Sequence, residues 1–393
     1  MDHSAALLAA KDRIADFVRD EVIPREARAF ASYDDEIRTE VQALAHKAGI
    51  WAPQLPEHLG GMGFRFSDAA LLFEEAGTSL LGPLAIGVAA PDEGNTHMLE
   101  QVASPEQKDR YLKPLALGQV RSCFAMTEPA PGVGSDPRAV RTKATRVSGG
   151  WSITGDKHFI TGADGASFAV VMAATGDAPG EGVTMFLVDA DNPGWSVTGH
   201  YSTLDVAMVG GHCSVELRDC VVPDEAVLGE VGEGFRYAQV RLAPARLTHC
   251  MRWLGAARRS HEVALRRAVG RELFGRRLTD HGMAQAMVAD NEIDLHAARA
   301  MLRQAAWDVE HDRDPLVASS RCKVFVSEAV GRVVDRSVQL MGGLGTVTAD
   351  HDGAVVARTY ADIRAFRIYD GASEVHRMSI AKRAAHAVRE SLS

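Results

Sequence analysis

The spacing of apolar residues predicts helices in the first third of the chain. Apolar side chains between residues 7 and 22 recur at helical spacing, and Ser4 in front of them is a good candidate for an N-cap. A second helix is predicted over about 35–48, because Gly49 can take the left-handed conformation that commonly ends a helix. We therefore expect residues 4 to about 120 to be helical.

The pattern changes to that of β-strands after residue 122. Between residues 151 and 223, short apolar runs are separated by glycine, proline and aspartate, and a spacing of about ten residues is typical of a compact antiparallel barrel or sandwich. The last run alternates apolar and polar side chains, as a half-buried strand does. The candidate strands are Trp151–Thr154, Phe168–Ala173, Thr184–Val188, Trp195–Thr198 and Cys213–Leu217.

Helical spacing returns in the last part of the chain. Leu247, Met251 and Leu254 fall on one helix face, and several long stripes of this kind with short connections predict a helical bundle. The predicted fold class is α+β. The predicted domains are an N-terminal helical domain over 1–122, a β-barrel or sandwich domain over 123–232, and a four-helix-bundle domain over 233–393.

Composition and charge argue against several classes of function. The 393 residues carry a formal net charge of -9 and contain no Lys/Arg-rich run, so a nucleic-acid binder is not expected. The cysteines are scattered and the histidines lack ligand spacing, so neither a disulfide framework nor a metal site is predicted. The N-terminal segment does not resemble a signal peptide and no apolar run would cross a bilayer. We therefore expect a cytoplasmic protein without membrane insertion.

The first segment with candidate chemistry covers residues 123–136. A short apolar stretch leads there into a turn rich in glycine and proline, where Gly132 and Gly134 would let the backbone approach a ligand closely. Thr127 and Ser135 offer hydroxyl groups beside this turn. Taken alone, the segment is more typical of a linker between domains.

Two further segments carry candidate chemistry: one has an aromatic ring and a hydroxyl group, and the other has a carboxylate. In 157–162, Phe159 and Thr161 are two residues apart and are expected on one face of a strand, where a flavin ring could pack and form a hydrogen bond. In 367–374, Asp370 stands between a tyrosine and a glycine at a break between helices. The alternatives are ordinary barrel packing for the first pair and a loop carboxylate for the second.

These segments, together with Arg271–Gly275 and Gln339–Gly343, occur in the order and spacing of the acyl-CoA dehydrogenases. The chain resembles that family over nearly its whole length. The resemblance implies an oxidoreductase of fatty acid metabolism with FAD as cofactor and an acyl-CoA as substrate. It also implies a homotetramer and an electron-transfer flavoprotein as electron acceptor.

The resemblance also implies roles for individual residues. Asp370 takes the place of the catalytic carboxylate. The residues implied to contact FAD are Phe124, Met126, Thr127, Phe159, Thr161, Arg271, Phe274, Gln339, Gly343, Ala372 and Glu374. Among them, Arg271 and Phe274 are implied to reach the FAD of a neighbouring subunit. The residues implied to contact the acyl-CoA are Ser135, Arg246 and Gly371.

The implied reaction is α,β-dehydrogenation of the thioester. Asp370 removes the α-proton, and the β-hydrogen leaves as a hydride to flavin N5. Burial in an apolar pocket is expected to raise the pKa of Asp370, because burial disfavours the charged form of a carboxyl group. The FAD ribityl 2′-hydroxyl and the backbone N–H of Ala372 are the implied donors to the thioester oxygen.

Three positions depart from the family pattern. The usual catalytic glutamate is Asp370, which is shorter by one methylene, roughly 1.5 Å of reach. Gly282 and Ala372 stand where the family usually has a glutamine and a threonine that bind the cofactor. The departures resemble one branch of the family, some of whose members are linked to phosphorylated 4-hydroxyacyl-CoAs, and that substrate class is one alternative.

Two other kinds of function stay open. One is a different flavoenzyme on the same fold, similar to nitroalkane oxidases, which use an aspartate base, or to acyl-CoA oxidases. Arg246 and Ser135 favour a CoA substrate over a nitroalkane. The other is a non-catalytic FAD-binding subunit, which the retained carboxylate at Asp370 disfavours.

Overall fold

The computed structural model of the chain describes residues 3–31, 33–134, 136, 138–176, 181–205, 208–349, 351 and 353–392. Helices occupy the first part of the chain, a curled sheet the middle, and longer helices the last part, so the predicted α+β fold class is confirmed. The exact domain boundaries stay a prediction.

The N-terminal part is built from helices that pack around a shared apolar core. Its capping signals are confirmed: the Ser4 hydroxyl accepts a hydrogen bond from the Leu7 N–H at 3.1 Å, and Gly49 has a φ of 64°. The chain continues past Pro24 through a short 3₁₀ helix (Ile23–Arg25). Proline is tolerated there because the N–H groups in the first turn of a helix have no partner within the helix. The helices are α1 (Ala5–Phe17), α2 (Glu26–Ala31), α3 (Asp35–Ala48), α4 (Phe66–Ala76), α5 (Gly82–Ala85), α6 (Asp92–Val102), α7 (Pro105–Gln107) and α8 (Lys113–Ala116).

The middle part is a curled sheet of mostly antiparallel strands. The strands are β1 (Ser122–Ala125), β2 (Lys143–Val147), β3 (Gly150–Thr161), β4 (Phe168–Ala174), β5 (Val183–Asp189), β6 (Trp195–His200) and β7 (His212–Pro223). Their order is β1-β4-β2-β3-β7-β6, with β5 on β4. Two pairings differ from the predicted antiparallel arrangement, because β1 and β2 both run parallel to β4. These pairings join strands that are separated in the sequence, so no local pattern predicts them.

The predicted alternation along β7 holds as far as Leu217 and then shifts. Cys213, Val215 and Leu217 are buried, whereas the next two residues are exposed and Cys220 is buried again. Asp219 has a φ of 46°, and the register of β7 against β3 shifts at the same place. A bulge of this kind adds one residue to a strand and resets which face each side chain points to.

The last part of the chain is a bundle of helices with one short hairpin. The predicted stripe of Leu247, Met251 and Leu254 is fully buried in it. The helices are α9 (Gly234–Gly270), α10 (Gly282–Glu310), α11 (Pro315–Met341), α12 (Ala354–Ile363) and α13 (Ser373–Leu392), and the hairpin strands are β8 (Glu272–Leu273) and β9 (Arg276–Arg277). Across the described ranges, no helix is both long and apolar enough to span a membrane.

A buried ion pair fixes the segment that follows β1. The Lys157 ammonium lies 2.8 Å from a Glu128 carboxylate oxygen and also donates to the carbonyls of Met126 and Met172, at 3.2 and 2.7 Å. Glu128 in turn accepts the backbone N–H of Thr142 at 3.0 Å. Both charged groups are almost inaccessible to water, so each depends on the other to offset the cost of leaving water.

We expect Lys157→Met to lower the free energy of unfolding by about 3 kcal/mol, because it leaves Glu128 as an uncompensated buried charge. Denaturant unfolding of the purified protein measures this loss. Arg218→Met is the matched control, since the Arg218–Asp156 pair at 2.7 Å is about half exposed on both sides. It should cost less than about 1 kcal/mol. Equal losses in the two variants would contradict the assigned role of the buried pair.

Candidate active site

A cavity of about 1160 Å³ lies where the sheet meets the helical bundle. Its walls come from β1, β3, the segment after β6, α9, and the connection between α12 and α13. This arrangement brings together the larger part of the predicted site. The predicted residues on the cavity wall are Phe124, Met126, Thr127, Phe159, Thr161, Arg246, Asp370, Gly371 and Ala372.

The remaining predicted residues lie elsewhere. Ser135 falls outside the described residues. Gly132, expected to approach a ligand, instead makes room for Glu128, because a Cβ there would lie 2.5 Å from the carboxylate. Gly134 does line the cavity. The predicted cofactor contacts that this chain places away from its own cavity are Arg271, Phe274, Gln339, Gly343 and Glu374.

The sheet side of the cavity presents flat rings beside hydroxyl groups. Phe159 has a φ of 53°, is 50% exposed, and stacks on Tyr201 with ring centroids 4.3 Å apart. The Thr161 hydroxyl lies 2.9 Å from His212 Nδ1, and His212 Nε2 lies 3.0 Å from an Asp205 carboxylate oxygen. The strand alternation breaks just before Ile160, yet Phe159 and Thr161 both reach the cavity, as predicted.

A tight turn between α12 and α13 presents Asp370 to the cavity. Asp370 has a φ of 53° and Gly371 a φ of 101°, a conformation that few residues other than glycine adopt. Gly371 has a second constraint, because a Cβ on it would lie 2.5 Å from His376 Nε2. A strained turn of this kind persists only where surrounding contacts hold it in place.

Three side chains from three helices hold this turn by its carbonyl groups. Arg246 Nε on α9 donates to the Asp370 carbonyl oxygen at 3.1 Å, and His376 Nε2 on α13 donates to the same oxygen at 3.2 Å. Lys323 Nζ on α11 donates to the Gly371 carbonyl oxygen at 2.6 Å. Burial lowers the pKa of Lys323 to about 8, and burial followed by the Arg246 charge lowers the pKa of His376 to about 4. His376 is therefore neutral at pH 7.

The Asp370 carboxylate is an anion in this setting. Its Oδ2 lies 3.2 Å from His249 Nε2, and only 19% of the side chain is exposed. Burial acts to raise the pKa of Asp370, but the His249 hydrogen bond and the charges of Arg241 and Arg246 together bring it well below its ordinary value. The expected raised pKa is thus wrong for this arrangement, because the pocket around Asp370 is polar and cationic.

Two residues near Asp370, His249 and Arg252, had no predicted role, whereas Arg246 on the same helix was predicted to contact the acyl-CoA. Arg246, His249 and Arg252 are spaced by three residues on α9 and so share one helix face. That spacing is visible in the sequence, but nothing local to it indicates that this face meets Asp370, more than a hundred residues later. Among the described residues, no three His, Cys, Asp or Glu side chains are grouped as a metal site would need.

The sequence matches three family models that follow one another along the chain. They are described as the acyl-CoA dehydrogenase N-terminal domain over residues 4–119, middle domain over 123–220, and C-terminal domain over 232–385. The chain is 32% identical over 399 residues to the probable acyl-CoA dehydrogenase FadE2 of Mycobacterium tuberculosis, covering 96% of this chain and 95% of FadE2.

Two further relatives carry names that specify a substrate. The chain is 34% identical over 347 residues to (R)-benzylsuccinyl-CoA dehydrogenase of Thauera aromatica, covering 86% of this chain and 83% of that protein. The solved structure of butyryl-CoA dehydrogenase from Megasphaera elsdenii superposes with a TM-score of 0.87 at 25% identity, covering 98% of this chain and 99% of the other. The sequence matches and the fold together show that this chain belongs to the acyl-CoA dehydrogenase family.

Proposed function

We propose that this protein is an FAD-dependent enzyme that dehydrogenates an acyl-CoA thioester between its α- and β-carbons, with Asp370 as the base that removes the α-proton. One observation carries the proposal. An ionised, largely enclosed carboxylate stands on a fixed turn at the wall of the cavity that also presents the aromatic rings and hydroxyl groups of the sheet.

The cavity suits a large flat cofactor and a substrate side by side. Its volume of about 1160 Å³ is above the usual range of ~300–1,000 Å³ for small-molecule pockets. Phe124 and Phe159 offer apolar ring surfaces, while Thr127 and Thr161 offer hydroxyl groups at the polar edge. FAD, when bound there, supplies the acceptor for the hydride from the β-carbon. We assign its ring to these residues and Ala372, and its more distant contacts to the predicted positions outside the cavity.

Asp370 meets the requirements of a base that acts on the α-carbon. A base must be unprotonated and within hydrogen-bond reach of its proton, and the turn presents an anion at the cavity wall. A weakly basic carboxylate is a poor match for a weakly acidic proton. An apolar acyl group packed against Asp370 would exclude water and so move its pKa upward, towards the range where proton transfer is efficient.

Arg246 connects the base to the proposed substrate side of the cavity. Its Nε donates to the Asp370 carbonyl oxygen, and Arg246 is also one of the residues that line the cavity. A guanidinium group carries five N–H donors, so Arg246 can hold the turn and still bind an anionic or carbonyl oxygen of the acyl-CoA. Together with Ser135 and Gly371, it forms the proposed substrate contacts.

A nitroalkane-oxidase-like reaction is the second candidate, because the proposed base is an aspartate. An aspartate and a nearby arginine would also serve to remove the acidic proton of a nitroalkane. The large cavity favours the bulkier CoA ester. For the dehydrogenase, we propose an electron-transfer flavoprotein as acceptor, a place in fatty acid metabolism and a cytoplasmic location.

Exposed apolar side chains in the bundle support a homotetramer. Phe274, at the tip of the β8–β9 hairpin, is 93% exposed, and Met283 at the start of α10 is 78% exposed. Large apolar groups exposed in this way are typical of surfaces that another protein covers. We propose that Arg271 and Phe274 reach the FAD of a neighbouring subunit.

Asp370→Asn should abolish reduction of bound FAD by acyl-CoA, with a rate roughly 10²–10⁴-fold lower, because the amide cannot accept the α-proton. Anaerobic flavin bleaching with a panel of acyl-CoAs measures the rate, and nitroalkanes test the second candidate. Asp164→Asn is the control, since Asp164 is an exposed aspartate that also contacts a histidine. Bleaching of Asp370→Asn at the wild-type rate would show that another group is the base.

Phe274→Asp should lower the molecular mass of the assembly in sedimentation, because a charge would have to be buried where the exposed ring is covered. FAD content should fall in parallel if the hairpin reaches a neighbouring site. Leu392→Asp is a matched control, since Leu392 is also largely exposed (82%) but lies at the end of α13. An unchanged mass and FAD content in Phe274→Asp would remove the hairpin from the proposed interface.

A further inference from the structure

We propose that His249 is a positioning residue for the base: it donates one hydrogen bond to the Asp370 carboxylate, and Arg252 fixes the tautomer that allows it. This inference rests on the proposed role of Asp370 as the base. It concerns a histidine and an arginine on α9 to which the family resemblance gave no role.

The contacts of His249 determine which ring nitrogen carries the proton. Nδ1 lies 2.9 Å from Arg252 Nη2, and a guanidinium group offers only donors. Nδ1 must therefore accept, which places the hydrogen of the neutral ring on Nε2. Nε2 lies 3.2 Å from Asp370 Oδ2, which is within hydrogen-bond distance of the carboxylate. One tautomer of a neutral histidine satisfies both contacts.

Arg252 is itself anchored to the N-terminal part of the chain. Its Nη1 donates to the Val88 carbonyl oxygen at 2.6 Å and lies 3.6 Å from a Glu93 carboxylate oxygen. The same Glu93 oxygen accepts the Thr248 hydroxyl at 2.9 Å. Close polar contacts thus connect the backbone after α5, through Arg252 and His249, to Asp370.

Aromatic neighbours restrict the His249 ring. Its centroid lies 4.7 Å from that of Tyr369 and 6.1 Å from that of Phe366. Tyr369 is held in turn, because its hydroxyl accepts the Trp253 N–H at 2.6 Å. A ring held on its faces and at both nitrogens has little freedom to turn away from Asp370.

Burial, helped by the charge of Arg252, favours the neutral form of His249. Burial lowers its pKa, and the Arg252 charge lowers the pKa further, against the opposite effect of Asp370 and of Glu93 on α6. The other charged groups that act on the Asp370 carboxylate are Arg241, Arg246 and Arg252 on α9 and Lys323 on α11. A second proton on His249 would point at Arg252, so the neutral ring is the stable form at pH 7.

In the proposed reaction, His249 affects the orientation of the Asp370 carboxylate as well as its charge. The hydrogen bond occupies Oδ2 and leaves Oδ1 for the α-proton of the substrate. Aspartate has a shorter side chain than the glutamate usual in the family. A rotation that turns its carboxylate away from the α-proton is therefore harder to compensate by extending the side chain. A fixed donor at Oδ2 prevents that rotation.

The test compares two replacements of His249 in the FAD-loaded protein. His249→Phe keeps the ring shape and removes the donor, whereas His249→Gln places an amide N–H at about the distance of Nε2. His249→Leu replaces the phenylalanine variant if that variant does not fold with FAD. His200→Phe is the control, because His200 Nε2 lies 3.1 Å from Asp164 Oδ2 in an exposed histidine–aspartate pair.

The first readout is infrared absorption of the Asp370 carboxylate at neutral pH, isolated as the difference between each protein and its Asp370→Asn counterpart. The carboxylate stretching bands respond to hydrogen bonding, so they should shift in His249→Phe and return towards the wild-type position in His249→Gln. They should not move in His200→Phe.

The second readout is anaerobic flavin bleaching by acyl-CoA. The rate should fall on the order of 10-fold or more in His249→Phe, be partly recovered in His249→Gln, and leave acyl-CoA affinity within about twofold of wild type. Wild-type bands or a wild-type rate in His249→Phe would overturn the inference. Wild-type bleaching by Asp370→Asn would instead remove the proposed base, while the infrared bands would still decide whether His249 holds the carboxylate.

Discussion

The turn that carries Asp370 is held through its backbone carbonyl groups, and the rest of the site depends on these bonds. Arg246, Lys323 and His376 each come from a different helix of the bundle and converge on two adjacent carbonyl oxygens. A turn with two successive positive φ angles would relax without such partners. Because the three donors are set by how α9, α11 and α13 pack, the position of the carboxylate is a property of the whole bundle.

Arg246 and Lys323, together with Arg241, also determine the electrostatics around Asp370. A carboxylate buried among apolar groups would become a stronger base, whereas this one is surrounded by donors and cations that favour its anionic form. The site therefore begins with a well-ordered but weak base. In the reaction we propose, the acyl group supplies the apolar surroundings that strengthen this base, so substrate binding and activation of the base are one event.

Local signals in the sequence were sufficient for most secondary structure. The Ser4 cap, the Gly49 helix end and the buried stripe through Leu254 are each determined by side chains within a few residues. The parallel pairing of β1 with β4 and the bulge at Asp219 were not predicted, because both depend on strands that meet only in the folded sheet.

The candidate site shows the same division between local and distant information. The resemblance located Asp370 and the residues that line the cavity, although their roles stay proposals. It could not give the pKa direction of Asp370, because the deciding partner is His249, which lies on another helix. Helical spacing placed Arg246, His249 and Arg252 on one face, but the group that this face meets is set by tertiary packing.

In the proposed enzyme, the hydrogen bond from Arg252 to Val88 would link substrate preference to the chemistry of the base. Val88 is followed directly by Ala89, Ala90 and Pro91, which form part of the cavity wall. A substitution that reshapes this wall for a longer or bulkier acyl group would also move the carbonyl that holds Arg252. A change of substrate specificity at this wall, by evolution or by design, would therefore also require compensating changes that keep His249 and Asp370 in position.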